Sequence, residues 1–268
     1  MSAFLSRVTS GVAPKPVRLA VHGHPGSGKT LLASGAPGCI FQTVEDGMGL
    51  IDAAQLPAPS SFSEAIAQVG ELISEDHDYR SLVVDAIDGI EPLIFREICE
   101  AGGKESIADF GFNKGYVQAD SYWVRYFKAL DELRAQRSMH IIVISHSAAV
   151  HYDDPTTGTY VRWEPNLHKR TVPLLTKWAD VIGFLDLEKT VVDRGDADKN
   201  RAVRTAMASG SRFLNLTETG SFIAKNRFGL KPQLEIPLEN GWSVFGDALK
   251  AAYEKAAGTT NQKKQEAA

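Results

Sequence analysis

Gly23-His24-Pro25-Gly26-Ser27-Gly28-Lys29-Thr30 has the spacing G-x-x-x-x-G-K-T, which is that of a phosphate-binding loop, or P-loop. The chemistry asks for each residue type where it stands. Glycines let backbone N–H groups wrap a phosphate chain closely, because no Cβ intervenes. A helix starting at Lys29 turns the positive end of its dipole toward the same phosphates. Lys29 is the residue to reach the β- and γ-phosphates, and the Thr30 hydroxyl the one to ligate Mg²⁺. The expected ligand is therefore ATP with Mg²⁺, held by all eight residues from Gly23 to Thr30.

Hydrolysis needs three more groups: an acid near the metal, a group that orients water, and a sensor of the γ-phosphate. Leu82-Val83-Val84-Asp85 is an apolar run ending in an acid, the pattern called Walker B. Asp85 would hold the metal through water, alongside Thr30. Glu45 closes the apolar run that follows the P-loop helix, where a carboxylate can orient and deprotonate water. The plainer reading of Glu45-Asp46-Gly47 is a polar turn. Ser145-His146 ends a further apolar run, and His146 is a candidate γ-phosphate sensor as well as a candidate structural histidine.

These residues need strands that end together. Apolar runs at 17–21, 39–44, 81–85, 140–145 and 181–187 read as buried strands. Helical spacing marks 29–34, 62–75, 90–101 with Pro92 in the first turn, about 118–136, 171–179 and 242–257. This alternation predicts an α/β fold with a mainly parallel twisted sheet flanked by helices. Turn signals at Asp153-Asp154-Pro155 and at Asp193-Arg194-Gly195-Asp196 add antiparallel β hairpins in the C-terminal half. The segment 102–122 reads as a loop insertion. Residues 1–16 read as an extension, 17–257 as one domain, and 258–268 as a disordered tail with nothing to bury.

Composition bounds the rest. The chain has 268 residues, a net charge of −4 and two cysteines, Cys39 and Cys99, too far apart in sequence for a metal-binding pair. No apolar run is long enough to span a membrane, and the expectation is a cytoplasmic protein. Charge is uneven. Residues 45–109 carry fifteen acids against three bases, and residues 169–231 carry twelve bases against seven acids. A basic face meeting a polyanion and ordinary solvated surface are both open readings of the second stretch.

The motif order resembles that of the RecA-like ATPases: P-loop, Glu45 after the second strand, Asp85 after the third, a polar pair after the fourth. Lys225-Asn226-Arg227-Phe228-Gly229 looks like the KNRFG motif of the bacterial recombination protein RadA and is similar to the K-x-R finger of DnaB-type helicases. DFGFNKGY (109–116), EPNLHKR (164–170), KWADVIGF (177–184) and AKNRFGL (224–230) resemble phage-encoded RecA-like ATP-binding proteins, a family that includes single-strand annealing recombinases. RecA proper differs in having Gln where this chain has Ser145-His146. The resemblance implies a RecA-like P-loop core, ATP hydrolysis, single-stranded DNA as partner and a homo-oligomer, ring or filament. A single-strand DNA-binding protein is an accessory candidate. It implies that Lys225 and Arg227 complete a neighbouring subunit's site or touch DNA, and that the loops at 102–122 and 150–170 face the DNA. The second loop offers Tyr160, Arg162, Trp163, His168, Lys169 and Arg170, aromatics for stacking among cations for phosphates. A small-molecule kinase would want a compact arginine cluster, which is not evident. A DnaB-like helicase motor would be expected to bring a collar domain, also not evident.

Overall fold

The computed structural model describes residue 8 and residues 13–44, 49, 51–156, 158–195 and 202–266. Glu45 and its turn lie outside these residues, as do most of the N-terminal extension and the end of the charged turn at Asp196.

Strand β1 (Arg18–Gly23) leads through the P-loop into α1 (Lys29–Ser34). Then come β2 (Cys39–Thr43), β3 (Ala54–Leu56), α2 (Phe62–Ser74), β4 (Ser81–Asp85) and α3 (Ile87–Gly102). One 3-10 turn, Ile107–Phe110, precedes the long α4 (Lys114–Arg137). A hairpin of β5 (His140–Asp154) and β6 (Gly158–Pro165) is followed by α5 (Thr171–Trp178). A second hairpin, β7 (Val181–Gly195) and β8 (Ala202–Asn215), precedes β9 (Lys225–Asn226), β10 (Gln233–Glu235) and α6 (Gly241–Glu266).

The strands run in the order β10-β8-β7-β1-β5-β4-β2-β3, with β6 on the far end of β5 and β9 on β7. Pairings from β7 through β1, β5, β4 and β2 to β3 are parallel. This is the α/β fold with a mainly parallel sheet that was expected, with antiparallel hairpins in the C-terminal half. The parallel strands are apolar on both faces because helices cover both. Along β4, Leu82 and Val84 face the layer of α2, α3, α4 and α5, with Phe62, Ile87, Trp123 and Leu175. Val83 faces the layer of α1 and α6, with Leu32, Trp242 and Phe245. A polar network is built into the core at β2. Gln42 on β2 donates to Ala65 O (2.8 Å) and Gln68 Oε1 (2.9 Å), and accepts from the Tyr126 hydroxyl. A satisfied buried network of this kind holds β2 in one position against α2 and α4.

Strands β5 and β7 are longer than the parallel core. β5 pairs with β1 as far as His146, opposite Gly23, and from Ser147 onward pairs with β6 instead. β7 pairs with β1 as far as Phe184 and continues as the arm it forms with β8. Both hairpins therefore leave the sheet at its carboxyl edge, one on each side of the P-loop strand.

Three boundaries differ from the sequence reading. Helix α3 starts at Ile87, so Pro92 sits in its second turn and not its first. Helix α6 continues through Glu266, across the stretch read as a disordered tail. Lengthening an existing helix avoids the cost of nucleating one, and Lys, Gln, Glu and Ala are good helix formers. Helix α4 starts at Lys114, inside the presumed loop. There, Gly115 packs so closely on the preceding turn that a Cβ would stand 2.5 Å from Ile107 O. A glycine that reads as a loop marker is here a packing contact. Gly115→Ala gains helix propensity of at most about 1 kcal/mol, less in a first turn, against an overpacking cost of ~1–3 kcal/mol. Urea unfolding should show net destabilisation.

Candidate functional site

The P-loop folds as its residue types require. Gly26 and Gly28 take φ of 76° and 86°, left-handed values that favour glycine. Ser27 N donates to His24 O (3.2 Å) to close the turn. Lys29 starts α1 and folds back, its Nζ donating to Gly23 O (2.9 Å) and His24 O (3.0 Å). Burial pulls the Lys29 pKa below the ordinary lysine value, against the pull of Asp85 and Asp88. Thr30 Oγ1 donates to Asp85 Oδ2 (2.8 Å), joining the P-loop helix to the end of β4. Burial raises the Asp85 carboxyl above the usual range, opposed by that bond and by the charges of Lys29 and His146.

The sensor candidate sits beside them. Opposite Gly23 on β5, His146 donates its backbone N–H to Asp88 Oδ1 (3.1 Å), and its Nδ1 lies 2.9 Å from Asp88 Oδ2. Asp88, at the start of α3, carries no motif of its own and acquires a place only because β4 and β5 are neighbours. Val44 N donates to Asp85 O (2.9 Å), so the chain leaves β2 toward Glu45 from beside Asp85.

The residues fit a nucleoside triphosphate with Mg²⁺. Ser27 Oγ and Arg212 Nη1 are buried at the loop with no hydrogen-bond partner among the described residues. The guanidinium of Arg212 fills the space that a Cβ on Gly28 would need. Thr30 and Asp85 offer the hard oxygen donors that Mg²⁺ takes. Among the described residues, no group of three or more His, Cys, Asp or Glu side chains could hold a metal by itself.

A family profile described as an AAA domain, AAA_24, matches residues 15–228. The chain belongs to the AAA_24 family of AAA domains. No curated protein matches it. The crystal structure of the RadB recombinase is similar, at 18% identity and a TM-score of 0.45, covering 84% of this chain and 90% of that one.

In this AAA domain the P-loop touches the β5–β6 hairpin directly. The Trp163 ring meets the His24 ring edge-on, with centroids 4.3 Å apart. Trp163 N donates to Ser221 O (2.8 Å) and Ile223 N to Trp163 O (3.0 Å), fixing the hairpin base. His22, one residue before Gly23, lies between Ser147 Oγ and Ile223 O, each 2.8 Å from a ring nitrogen. The carbonyl needs a donor, so Nε2 carries the proton and Nδ1 accepts from Ser147. Burial holds the His22 pKa down at about 4, despite the bond to Ile223.

The residues expected to meet DNA have partners within the chain. Arg162 is bound to Glu164 Oε1 (2.6 Å) and stacks on Tyr152 at 3.6 Å. His168 stacks on Tyr116, with centroids 4.3 Å apart, and its backbone N–H donates to buried Glu91. Arg170 pairs with Asp120. Trp163 packs on the P-loop, and Tyr160 tilts against Tyr152 at 5.5 Å. Lys169 is exposed. Arg162 also reaches Glu218, at 3.7 Å; this pairing and that of Arg170 were invisible in sequence because Glu218 and Asp120 come from distant segments.

Lys225 and Arg227 lie at the other edge of the sheet. Lys225 is opposite Ile182, near the amino-terminal start of β7. Its ammonium donates to Thr176 O and, at 2.7 Å, to Ala179 O, capping the last turn of α5. Arg227 Nη1 is 3.2 Å from Asp180 Oδ1 and its Nη2 3.1 Å from Lys177 O. Asp180 also takes Arg18, at 2.7 Å. Burial would raise the Asp180 pKa, and Arg18 outweighs it, leaving the carboxyl below its usual range.

His22 makes a pH prediction. Its folded pKa lies below its unfolded 6.5, so its contribution to stability is whole above pH 6.5 and is lost as pH falls toward 4. Urea unfolding should show about 2 kcal/mol lost by pH 5 from this group, on the order of 1.4 kcal/mol per pH unit of the interval. In His22→Gln that part of the acid slope should vanish.

Proposed function

We propose that this AAA domain binds ATP with Mg²⁺ and hydrolyses it as a RecA-like ATPase. It works as a homo-oligomer on single-stranded DNA in recombination, of the annealing or mediating kind. The observation that carries the catalytic half is the Thr30–Asp85 bond with Lys29 beside it. A phosphate cradle, a metal-binding hydroxyl and an acid meet at one strand edge. A bound metal would supply charge neutralisation on the phosphate oxygens. Lys29 would exchange its two backbone carbonyls for the β- and γ-phosphates. Thr30 and Asp85 would hold the metal, Asp85 through water. Glu45 orients the attacking water and takes its proton. His146, steadied by Asp88, meets the γ-phosphate. The DNA half is supported by the two hairpins beside the P-loop and by the Trp163–His24 contact, which ties one of them to the nucleotide site.

Lys29→Ala should weaken ATP binding by about 10- to 100-fold, the worth of a charge-assisted bond, and abolish hydrolysis. Wild-type hydrolysis should rise when single-stranded DNA is added. Unchanged turnover in Lys29→Ala would remove the site assignment. Absence of any DNA effect, with phosphate transferred to a small acceptor, would make the protein a kinase.

Arg227 lies at the sheet edge opposite its own P-loop, so its part in hydrolysis would be played in a neighbouring subunit. Arg227→Ala should then lose on the order of 10³-fold in rate. Mixing it with Lys29→Ala should recover activity, because an interface pairing one intact P-loop with one intact Arg227 rebuilds a site. Mixed oligomers that stay inactive would leave Arg227 as a partner of Asp180 only.

A further inference from the structure

Arg212 stands where β8 passes the P-loop, and it is 4% exposed. Two of its nitrogens are used at the chain leading to α6: Nε faces Ile236 O (3.4 Å) and Nη2 donates to Pro237 O. Ile236 N returns a bond to Arg212 O (2.8 Å), so the residue is clamped in place. Its Nη1 has no partner among the described residues. Among the described residues no carboxylate pairs with the guanidinium, and burial pulls its pKa below the usual arginine value. An interior cation without an anion is costly.

The direction of the unpaired nitrogen says where that anion belongs. Nη1 lies against Gly28, so closely that a Cβ there would overlap it. Gly28 is the N-cap of α1, where the helix dipole is positive. A buried guanidinium and the amino end of α1 meet here with no negative group between them among the described residues. Latching the carbonyls of Ile236 and Pro237 accounts for Nε and Nη2 but leaves Nη1 unexplained.

We propose that Arg212 is a nucleotide-binding residue whose Nη1 donates to the phosphate chain of a nucleoside di- or triphosphate. The proposal rests on the nucleotide reading of the P-loop. Asp85, Asp88 and His146 approach the loop from the β4 and β5 side, and Arg212 approaches from the β7 and β8 side. Arg212 is thus on the opposite flank of the loop from those groups. Because Arg212 belongs to the β7–β8 arm, nucleotide on Nη1 also bears on that arm's root.

The test is calorimetric binding of ATP and of ADP to the wild type, Arg212→Met and Arg212→Gln, with thermal melts of each protein free of nucleotide. The expected result is a Kd raised about 10- to 100-fold for both nucleotides, with a nucleotide-free Tm for Arg212→Met equal to or above the wild type, since a buried unpaired charge is gone. Arg212→Gln keeps an amide donor for the carbonyls and carries the test if Arg212→Met does not fold. Variants that bind both nucleotides as tightly as the wild type overturn the proposal, whatever happens to Tm. A wild type that binds neither nucleotide removes the P-loop reading itself, and this inference with it.

Discussion

Parallel pairing of β1 with β5, and of β5 with β4, is the constraint on which the site depends. Strands that run the same way end at the same edge. The register sets Gly23 opposite His146 and Asp85 opposite Ile144. Three residues more than fifty positions apart in sequence thereby reach one place. Slipping a strand by one residue would turn every side chain to the other face and carry Asp85 away from Thr30. The Thr30–Asp85 bond is the local expression of that register. It joins the start of α1 to the carboxyl end of β4.

The two edges of the sheet do different work. At the carboxyl edge, charges are buried and incompletely matched: Lys29 leans on carbonyls, Asp85 on a hydroxyl, and Arg212 Nη1 on nothing described. Groups left like this cost stability and suit a ligand that completes them. At the amino edge the charges complete one another. Asp180 gathers Arg18, Arg134 and Arg227, and Lys225 closes α5. That contrast explains how the KNRFG segment serves its own chain. Asn226 folds the motif on itself by accepting from Phe228 N and Leu230 N, and Phe228 packs on Tyr253 of α6.

The hairpins gain meaning from the same geometry. Because β5 and β7 outrun β1, their continuations rise on either side of the P-loop. His22 and His24 then touch the base of the β5–β6 hairpin, one through hydrogen bonds and one through the Trp163 ring. The P-loop and the base of that hairpin are therefore in direct contact, without an intervening element.

Much was legible in the chain alone. The P-loop, the apolar run ending in Asp85 and the alternation of buried strands with amphipathic helices follow from local spacing, and local spacing is what a sequence displays. The residues that sequence could not rank are those whose role is a partner from elsewhere. Arg162, His168 and Arg170 read as free cations and aromatics until Glu218, Tyr116 and Asp120 met them. Gly115 read as loop until its contact with Ile107 made it helix. Arg212 read as one basic residue among twelve. Its alternation with Leu214 and Leu216 on a strand was the single signal that it points inward. Sequence determined which chemistry is present, because motifs carry their own spacing. Tertiary structure decided which charges are paired and which are left for a ligand, because pairing is a property of distance in space.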